Sequence, residues 1–470
     1  MSANDSKKII TEAGVRIRLA TNYDSPSGHA RGADDEAGAG NGGGAFFNPK
    51  MRCNRAFVCA SLAALVESRD PVSGPIDCLD GFSASGAMAL QWKTRLVSKI
   101  RVLAVDRCPS AMSALEANCE LNGVHWRRVR PHEVAEQFST DCGSGKLKIL
   151  TALEQVNSVM ETCPFDFIHL DPFGSPAGNI ESALRHLRNG GLLSVTCTDL
   201  ASLLGQQPRV AMRNYGAVLM RVRCAPELGA RTLLAFVAAC AARCNKAIRP
   251  VYCLSAPRFL LACVRVERGA RRADDCLARS VGRLAHCRVC QQQRPATSGS
   301  IGGDNAGCGC GDDAEGGGAV AVLGPVWLGD LFESDFINRM ARHLLGSAES
   351  DSLLASEDKI LLKMLLEESQ CLSRSTDSLE VSMPPFQPMF YISPKWLRLS
   401  GVDLPRLEQL IEILRSSGHA ASRTHFDLTA VRTSASIQAC RDLILQHSTA
   451  AILNHNNTTD AASLTSSMDS

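Results

Sequence analysis

The sequence predicts an α/β protein with a doubly wound sheet, followed by a smaller C-terminal α+β domain, on three observations. Short apolar runs alternate with helical patterns between residues 76 and 267, as parallel strands joined by crossover helices require. Three of these runs end in an aspartate, Asp80, Asp106 and Asp171, at the carboxyl edge where open α/β sheets bind ligands. The chain has 470 residues, 45% hydrophobic and 21% charged, enough for two or three domains with a sizeable core.

Taken in order, residues 76–80 read as the first strand and 86–96 as the helix behind it. RVLAVD at 101–106 is the second strand, and 110–121, with Ala111, Ala114 and Leu115 on one face, the second helix. FDFIHLD at 165–171 is apolar enough for burial on both faces. A helix around 179–187 follows; Gly190-Gly191 is expected to break the chain before a strand at 192–197. A helix at 230–243 and late β runs at 248–254 and 259–267 complete the sheet with an antiparallel edge. Beyond Leu331 the pattern turns helical, then Pro- and aromatic-rich at 383–396. The Gly-rich stretch 24–44, the Gly- and Cys-bearing stretch 291–318 and the Ser/Thr/Asn-rich end 447–470 read as insertions and a tail. The resulting organisation is an N-terminal segment 1–45, a first domain 46–272, a connection 273–330, a second domain 331–445 and a tail 446–470.

No run of about 18 apolar residues occurs and the start is polar and lysine-bearing. An intracellular protein with no membrane association is expected, its 20 cysteines reduced apart from one metal site. The net charge of +2 announces no partner. Its distribution does: residues 201–272 hold 13 Arg and Lys against Glu227 and Glu267, an excess suited to a polyanion, because each neutralised phosphate releases counterions.

The first strand runs into Asp80-Gly81-Phe82-Ser83-Ala84-Ser85-Gly86, a turn of mostly small residues that lets backbone approach a nucleoside. Asp106 ends the next strand, placed to accept hydrogen bonds from ribose hydroxyls. Together the two predict adenosine binding at Asp80, Gly86 and Asp106. The sharpest motif is Asp171-Pro172-Phe173-Gly174-Ser175-Pro176. A ring amine is a poor nucleophile because its lone pair is delocalised. A carboxylate that accepts its N–H and takes the proton localises that pair, while the adjacent aromatic gives a stacking surface. Phe46-Phe47-Asn48-Pro49, with Arg52 and Arg55 following, offers a second aromatic wall for an unstacked base, or else a packed N-terminal segment. Cys287-Arg-Val-Cys290 and Cys308-Gly-Cys310 are two close pairs across a spacer, the arrangement of a structural zinc site; free thiols are the alternative.

With these motifs in view, the chain resembles the tRNA (guanine-26,N2)-dimethyltransferase family. The resemblance runs from Ile10 to about Thr433 and is carried by FFNPKMRCNR from Phe46, LDPFGSP from Leu170, GGLLSVTCTDLASLLG from Gly190, GPVWLGDL from Gly324, SRTHFD from Ser422 and Val431-Arg432-Thr433. It implies a Rossmann-like class I methyltransferase domain using S-adenosylmethionine, a C-terminal domain that grips tRNA, and a zinc site between them. It implies Asp171 as catalytic acid/base residue, Phe46 and Phe173 as base-stacking aromatics, and Arg55 and Asp106 among the cofactor contacts. The implied reaction adds one or two methyls to the exocyclic N2 of guanine 26. Met88, Ala56 and Thr11-Glu12-Ala13-Gly14 depart from the family's pattern. Two competing readings use the same residues: a tRNA-binding paralogue with weakened catalysis, and an amino-methyltransferase of another nucleic-acid substrate.

Overall fold

The computed structural model describes residues 9–19, 46–140, 148–289, 291–296, 320–346, 353–373, 391–397, 399, 402 and 404–448. The chain opens with a hairpin of β1 (Ile9–Glu12) and β2 (Val15–Arg18), turned by Ala13 and Gly14 at φ 52° and 80°, the pair of left-handed residues that a two-residue hairpin turn demands. Helix α1 (Arg52–Glu67) is buried along almost its whole length, which is why it reads as apolar without a strong stripe.

The sheet strands follow as β3 (Ile76–Gly81), β4 (Ile100–Asp106), β5 (His125–Arg128), β6 (Lys148–Leu153), β7 (Phe165–Leu170), β8 (Leu187–Cys197), β9 (Lys246–Ala256) and β10 (Phe259–Arg268). They lie in the order β5-β6-β4-β3-β7-β8-β10-β9. All neighbouring pairs are parallel from β5 to β8, and β10 is antiparallel to both β8 and β9. The predicted fold, with its antiparallel edge, is what forms. The chain winds to one side from β3 through β6 and to the other from β7 onward, so the switch point falls between β3 and β7.

The crossover helices are α2 (Ala87–Leu96), α3 (Pro109–Leu121), α4 (Val134–Thr140), α5 (Val156–Met160) and α6 (Ala177–His186). One expectation is corrected here. Gly190-Gly191 does not interrupt the chain: β8 runs from Leu187 straight through both glycines. A Cβ at Gly191 would stand 2.7 Å from the Asp166 carbonyl oxygen, and the β7–β8 register shifts between Phe165 and Phe167. The glycines therefore serve a close, irregular strand pairing.

After β8 come α7 (Leu200–Leu203), α8 (Pro208–Tyr215) and α9 (Ala225–Arg243). By length and composition α9 resembles a membrane span, yet 72% of its apolar window is buried inside the fold, as befits a core helix. The connection holds α10 (Ala270–Ser280) and a three-stranded sheet of β11 (Val281–Cys287), β12 (Gln293–Pro295) and β13 (Val320–Trp327). Then follow α11 (Ser334–Leu345), α12 (Ser356–Ser373), β14 (Tyr391–Ile392), α13 (Leu407–Ser416), β15 (Ala421–Arg423) and β16 (Val431–Thr433). The last three strands form their own sheet over a separate small core that includes Leu397, Leu410, Leu414 and Ile444. The Pro-rich residues 383–390 lie outside the described residues.

Buried charges join the C-terminal sheet to α9 and α12. Arg432, on β16, is fully buried and donates to Glu227 of α9 at 2.9 Å and to Glu368 of α12 at 2.9 Å. Arg231 pairs with Glu227 and also donates to the Trp327 and Gly329 carbonyls. His425 Nδ1 meets Glu368 as well. Burial works to raise the Glu368 carboxyl, but His425 and Arg432 outweigh it and hold it at about 2. The SRTHFD and Val-Arg-Thr motifs thus turn His425 and Arg432 inward. Removing one member leaves an uncompensated buried charge, so Arg432→Met is expected to cost about 3–5 kcal/mol in denaturant unfolding. Arg423→Ala, which breaks a partly exposed pair with Glu408, should cost under about 1 kcal/mol.

Candidate active site

The switch point sets Asp80 beside Asp171. Residues Cys78–Gly81 of β3 pair in register with Phe167–Leu170 of β7. A Cβ on Gly81 would lie 2.9 Å from Val156 Cγ2 and 3.2 Å from the His169 carbonyl oxygen, so a side chain here would have to push Val156 aside. Asp106 ends β4 on the other side of β3. Three carboxylates therefore share one edge.

The turn after β3 is wired to β4. The Ser83 hydroxyl donates to the Asp80 carbonyl at 2.6 Å and accepts the Val105 N–H at 2.8 Å. Phe82, Ala84 and Gly86 all have positive φ. At Gly86 a Cβ would stand 2.5 Å from Leu115 Cγ, so this glycine lets α3 pack against the turn. Asp106 is half-buried and its two oxygens accept from the Ala84 and Cys108 N–H groups, each at 2.9 Å. It holds the turn in place, and no side chain caps α3.

Asp80 is buried and its Oδ2 has no hydrogen-bond partner. Burial pushes its carboxyl up to about 8, with Asp171 and Asp106 adding like-charge repulsion. Burial also raises the Asp171 carboxyl to about 6, against the pull of Arg55. His169, two residues before Asp171 in sequence, is held down at about 3 by burial, which makes it a poor proton acceptor. An edge with three carboxylates and one orphaned carboxyl oxygen suits a cationic ligand, because a positive charge there relieves both the desolvation and the repulsion.

Two aromatic rings stand exposed at the same place. Phe46 and Phe173, 55% and 76% exposed, touch edge to face with centroids 5.0 Å apart. Phe47 beside them is buried and carries the Arg55 guanidinium on its face at 4.5 Å. Arg55 is itself buried: it forms a two-pronged pair with Glu12 at 2.6 and 2.7 Å and donates to the Asn48 carbonyl at 3.1 Å. Gln91 also donates to Glu12, at 2.9 Å. Arg55 thereby fixes the segment that presents Phe46. Sequence reasoning gave no role to Glu12 or Gln91; the only signal was Glu12 within an altered motif. Nor did it see Asn118, which accepts the Arg18 N–H and donates to the Ser85 carbonyl, tying the hairpin to the turn.

The basic stretch divides on inspection. Arg231 and Lys246 are buried, Lys246 donating to the Leu184, Arg185 and Leu187 carbonyls. Arg243 and Arg249 pair with Glu181 and Glu267. Exposed are Arg209, Arg213, Arg221, Arg223, Arg258, Arg268, Arg271 and Arg272. Of the four predicted metal ligands, Cys287 is buried at the end of β11; Cys290, Cys308 and Cys310 lie outside the described residues.

A sheet in this order, with acidic strand ends gathered at its switch point, defines a Rossmann-like methyltransferase fold. Trm1 from Pyrococcus horikoshii, solved with S-adenosyl-L-methionine, has the same fold: the TM-score is 0.68 at 24% identity, covering 93% of this chain and 99% of that one. The family model for N2,N2-dimethylguanosine tRNA methyltransferase matches residues 33–445, and the chain belongs to that family. A Homo sapiens relative, tRNA (guanine(27)-N(2))-dimethyltransferase, is 30% identical over 503 residues, or 95% of this chain. This chain spans 64% of that relative's length. The tRNA (guanine(26)-N(2))-dimethyltransferase of Methanothermobacter thermautotrophicus is 30% identical over 400 residues, 85% of this chain and 92% of the relative.

Proposed function

We propose that this chain transfers one or two methyl groups from S-adenosylmethionine to the exocyclic N2 of a guanine in tRNA. The observation that carries the reading is the exposed Phe46–Phe173 pair beside a half-buried Asp171 whose carboxyl is raised to about 6. A guanine flipped between the rings breaks an edge contact worth about 0.5–1.5 kcal/mol and regains stacking of about 1–3 kcal/mol. When bound, the donor supplies an electrophilic methyl on a sulfonium sulfur. Asp171 accepts an N2–H and takes that proton as the amine lone pair forms the N–C bond, the S–C pair staying on sulfur. Asp80, with its unpartnered oxygen, and Asp106 would hold the donor's cationic and ribose groups. Gly86 shapes the turn between them, and Arg55 keeps the first aromatic in place. The target is guanine 26; guanine 27 is the second reading, favoured by the mammalian relatives, which match more of this chain than the archaeal ones do.

We propose further that Cys287, Cys290, Cys308 and Cys310 bind one structural zinc. In support, the chain reverses directly after Cys287. Gln291 N–H donates to the Cys287 carbonyl and Cys287 N–H to the Gln292 carbonyl, both at 2.9 Å, as a Cys-x-x-Cys pair needs to aim two sulfurs at one ion. One zinc per chain, lost together with thermal stability in Cys290→Ser, is the expected metal analysis; reduced protein without zinc overturns it.

The catalytic assignment is tested with unmodified tRNA and saturating donor, followed by nucleoside analysis. Asp171→Ala should lower turnover by about 10² or more while leaving donor affinity within a few-fold. A base must be ionised to act, so the parent rate should rise with pH through about 6 and lose that limb in the mutant. Parent-rate methylation by Asp171→Ala removes the assignment.

The tRNA reading is tested through the arginines. Leu260 pairs with Cys197 and Arg265 with Leu192, so Arg258 lies at the site's edge of the sheet while Arg268 lies toward the other. Arg209 and Arg213 ride on α8, whose Tyr215 hydroxyl meets Ser175 of the Asp171 turn at 2.9 Å, and no acidic residue occurs from 200 to 226. Changing Arg209, Arg213 and Arg258 to Glu should weaken tRNA binding and cut the log affinity against log salt slope by about 1 per lost phosphate contact. Changing Arg271 and Arg272 should leave both nearly unchanged, as read by anisotropy titrations across salt.

A further inference from the structure

The Asp171 side chain has no hydrogen bond to any described residue; burial and the charges of Arg55 and Asp80 are what act on it. Its aim is therefore set by the backbone, and what holds the turn after β7 holds the carboxylate. That turn is gripped by the two residues following β8. The Gly174 carbonyl oxygen accepts the Thr198 N–H at 3.1 Å and the Asp199 N–H at 3.2 Å. The Gly174 N–H donates to Thr198 Oγ1 at 2.8 Å. The first two bonds meet at one oxygen, which the Thr198 hydroxyl also approaches at 3.5 Å, and leave the preceding Phe173–Gly174 peptide free to turn. The third, from the other end of the residue, removes that freedom. Gly174 itself is left-handed at φ +79°, with no side chain to lock it. Beyond it, the Ser175 hydroxyl donates to Tyr215, continuing the same anchoring toward α8.

We propose that Thr198 is a positioning residue: its hydroxyl fixes the tilt of the Phe173–Gly174 peptide, so that Asp171 and Phe173, on one turn, meet the same base. The proposal rests on the function proposed above. Thr198 is assigned no contact with base or donor, and its contribution passes through Gly174.

The test uses the full chain carrying Thr198→Val, which keeps the shape and both N–H donors but removes the hydroxyl, alongside Thr198→Ala and Thr198→Ser. A misplacement on the order of 1 Å costs about 10² in rate. Thr198→Val and Thr198→Ala should therefore lose roughly 10- to 100-fold in kcat on tRNA, with donor Kd within a few-fold of the parent. Thr198→Ser should recover most of the rate, and Gly174 amide hydrogen exchange should accelerate in the valine and alanine variants only. Parent kcat in Thr198→Val overturns the proposal, as does a serine variant as slow as the valine one, or a loss of donor affinity matching the loss in kcat. A parent that methylates no tRNA sinks the proposed function instead. In that case unchanged Gly174 exchange in Thr198→Val overturns the positioning role, and accelerated exchange sustains it.

Discussion

The close parallel pairing of β3 with β7 is the constraint on which the rest of the molecule depends. It places the switch point of the sheet between them, and Gly81 leaves room there for Val156 of α5, which a Cβ would meet at 2.9 Å. Asp80 then lies one strand away from Asp171, and Asp106 one strand away on the other side. Carboxylates are costly to bury and costly to crowd. The protein accepts both costs at one edge, and the raised Asp80 and Asp171 carboxyls are the result. A site destabilised in this way is prepared for a ligand of opposite charge.

Around that edge the fold spends rigid elements on aiming mobile groups. Phe46 follows directly on residues that lie outside the described ones, yet its neighbour Phe47 is buried under Arg55, which Glu12 of the N-terminal hairpin holds from the other side. The hairpin is tied in turn to α3 through Asn118 and Asn122. Phe173 is carried on a turn bonded to the residues after β8. The two exposed rings thus touch each other while each is anchored by a different part of the chain, as the proposed insertion of a base between them requires.

The buried cluster of Glu227, Arg231, Glu368, His425 and Arg432 does different work. It unites a helix of the methyltransferase domain, a helix beyond the connection and the last strand of the chain. Such a cluster is weak as a source of net stability, since desolvation offsets most of the Coulomb gain. It is strict about geometry, because each charge needs all of its partners. The C-terminal sheet is fastened to the rest of the fold through this cluster and through Phe426 and Ala430, which join the main core.

Strand and helix types were legible in the sequence because they rest on local periodicity: apolar runs for strands buried on both faces, an amphipathic stripe for α3. The three terminal aspartates and the paired phenylalanines were legible too, because a strand end is a topological position that the sequence marks. The extent of β8 was not, since Gly190-Gly191 reads as a break and becomes a strand only when Asp166 supplies the partner that glycine alone can approach. Nor could the sequence sort its arginines: Arg209 and Arg231 look alike in one dimension, and only packing makes one a surface cation and the other a buried ion-pair partner. The same holds for Arg432, which nothing in the sequence marks as buried and which serves as a junction, and for Glu12, whose role depends on a residue 43 positions away. Burial and charge pairing are properties of separations in space between residues distant in the chain, and these came into existence only with the tertiary fold.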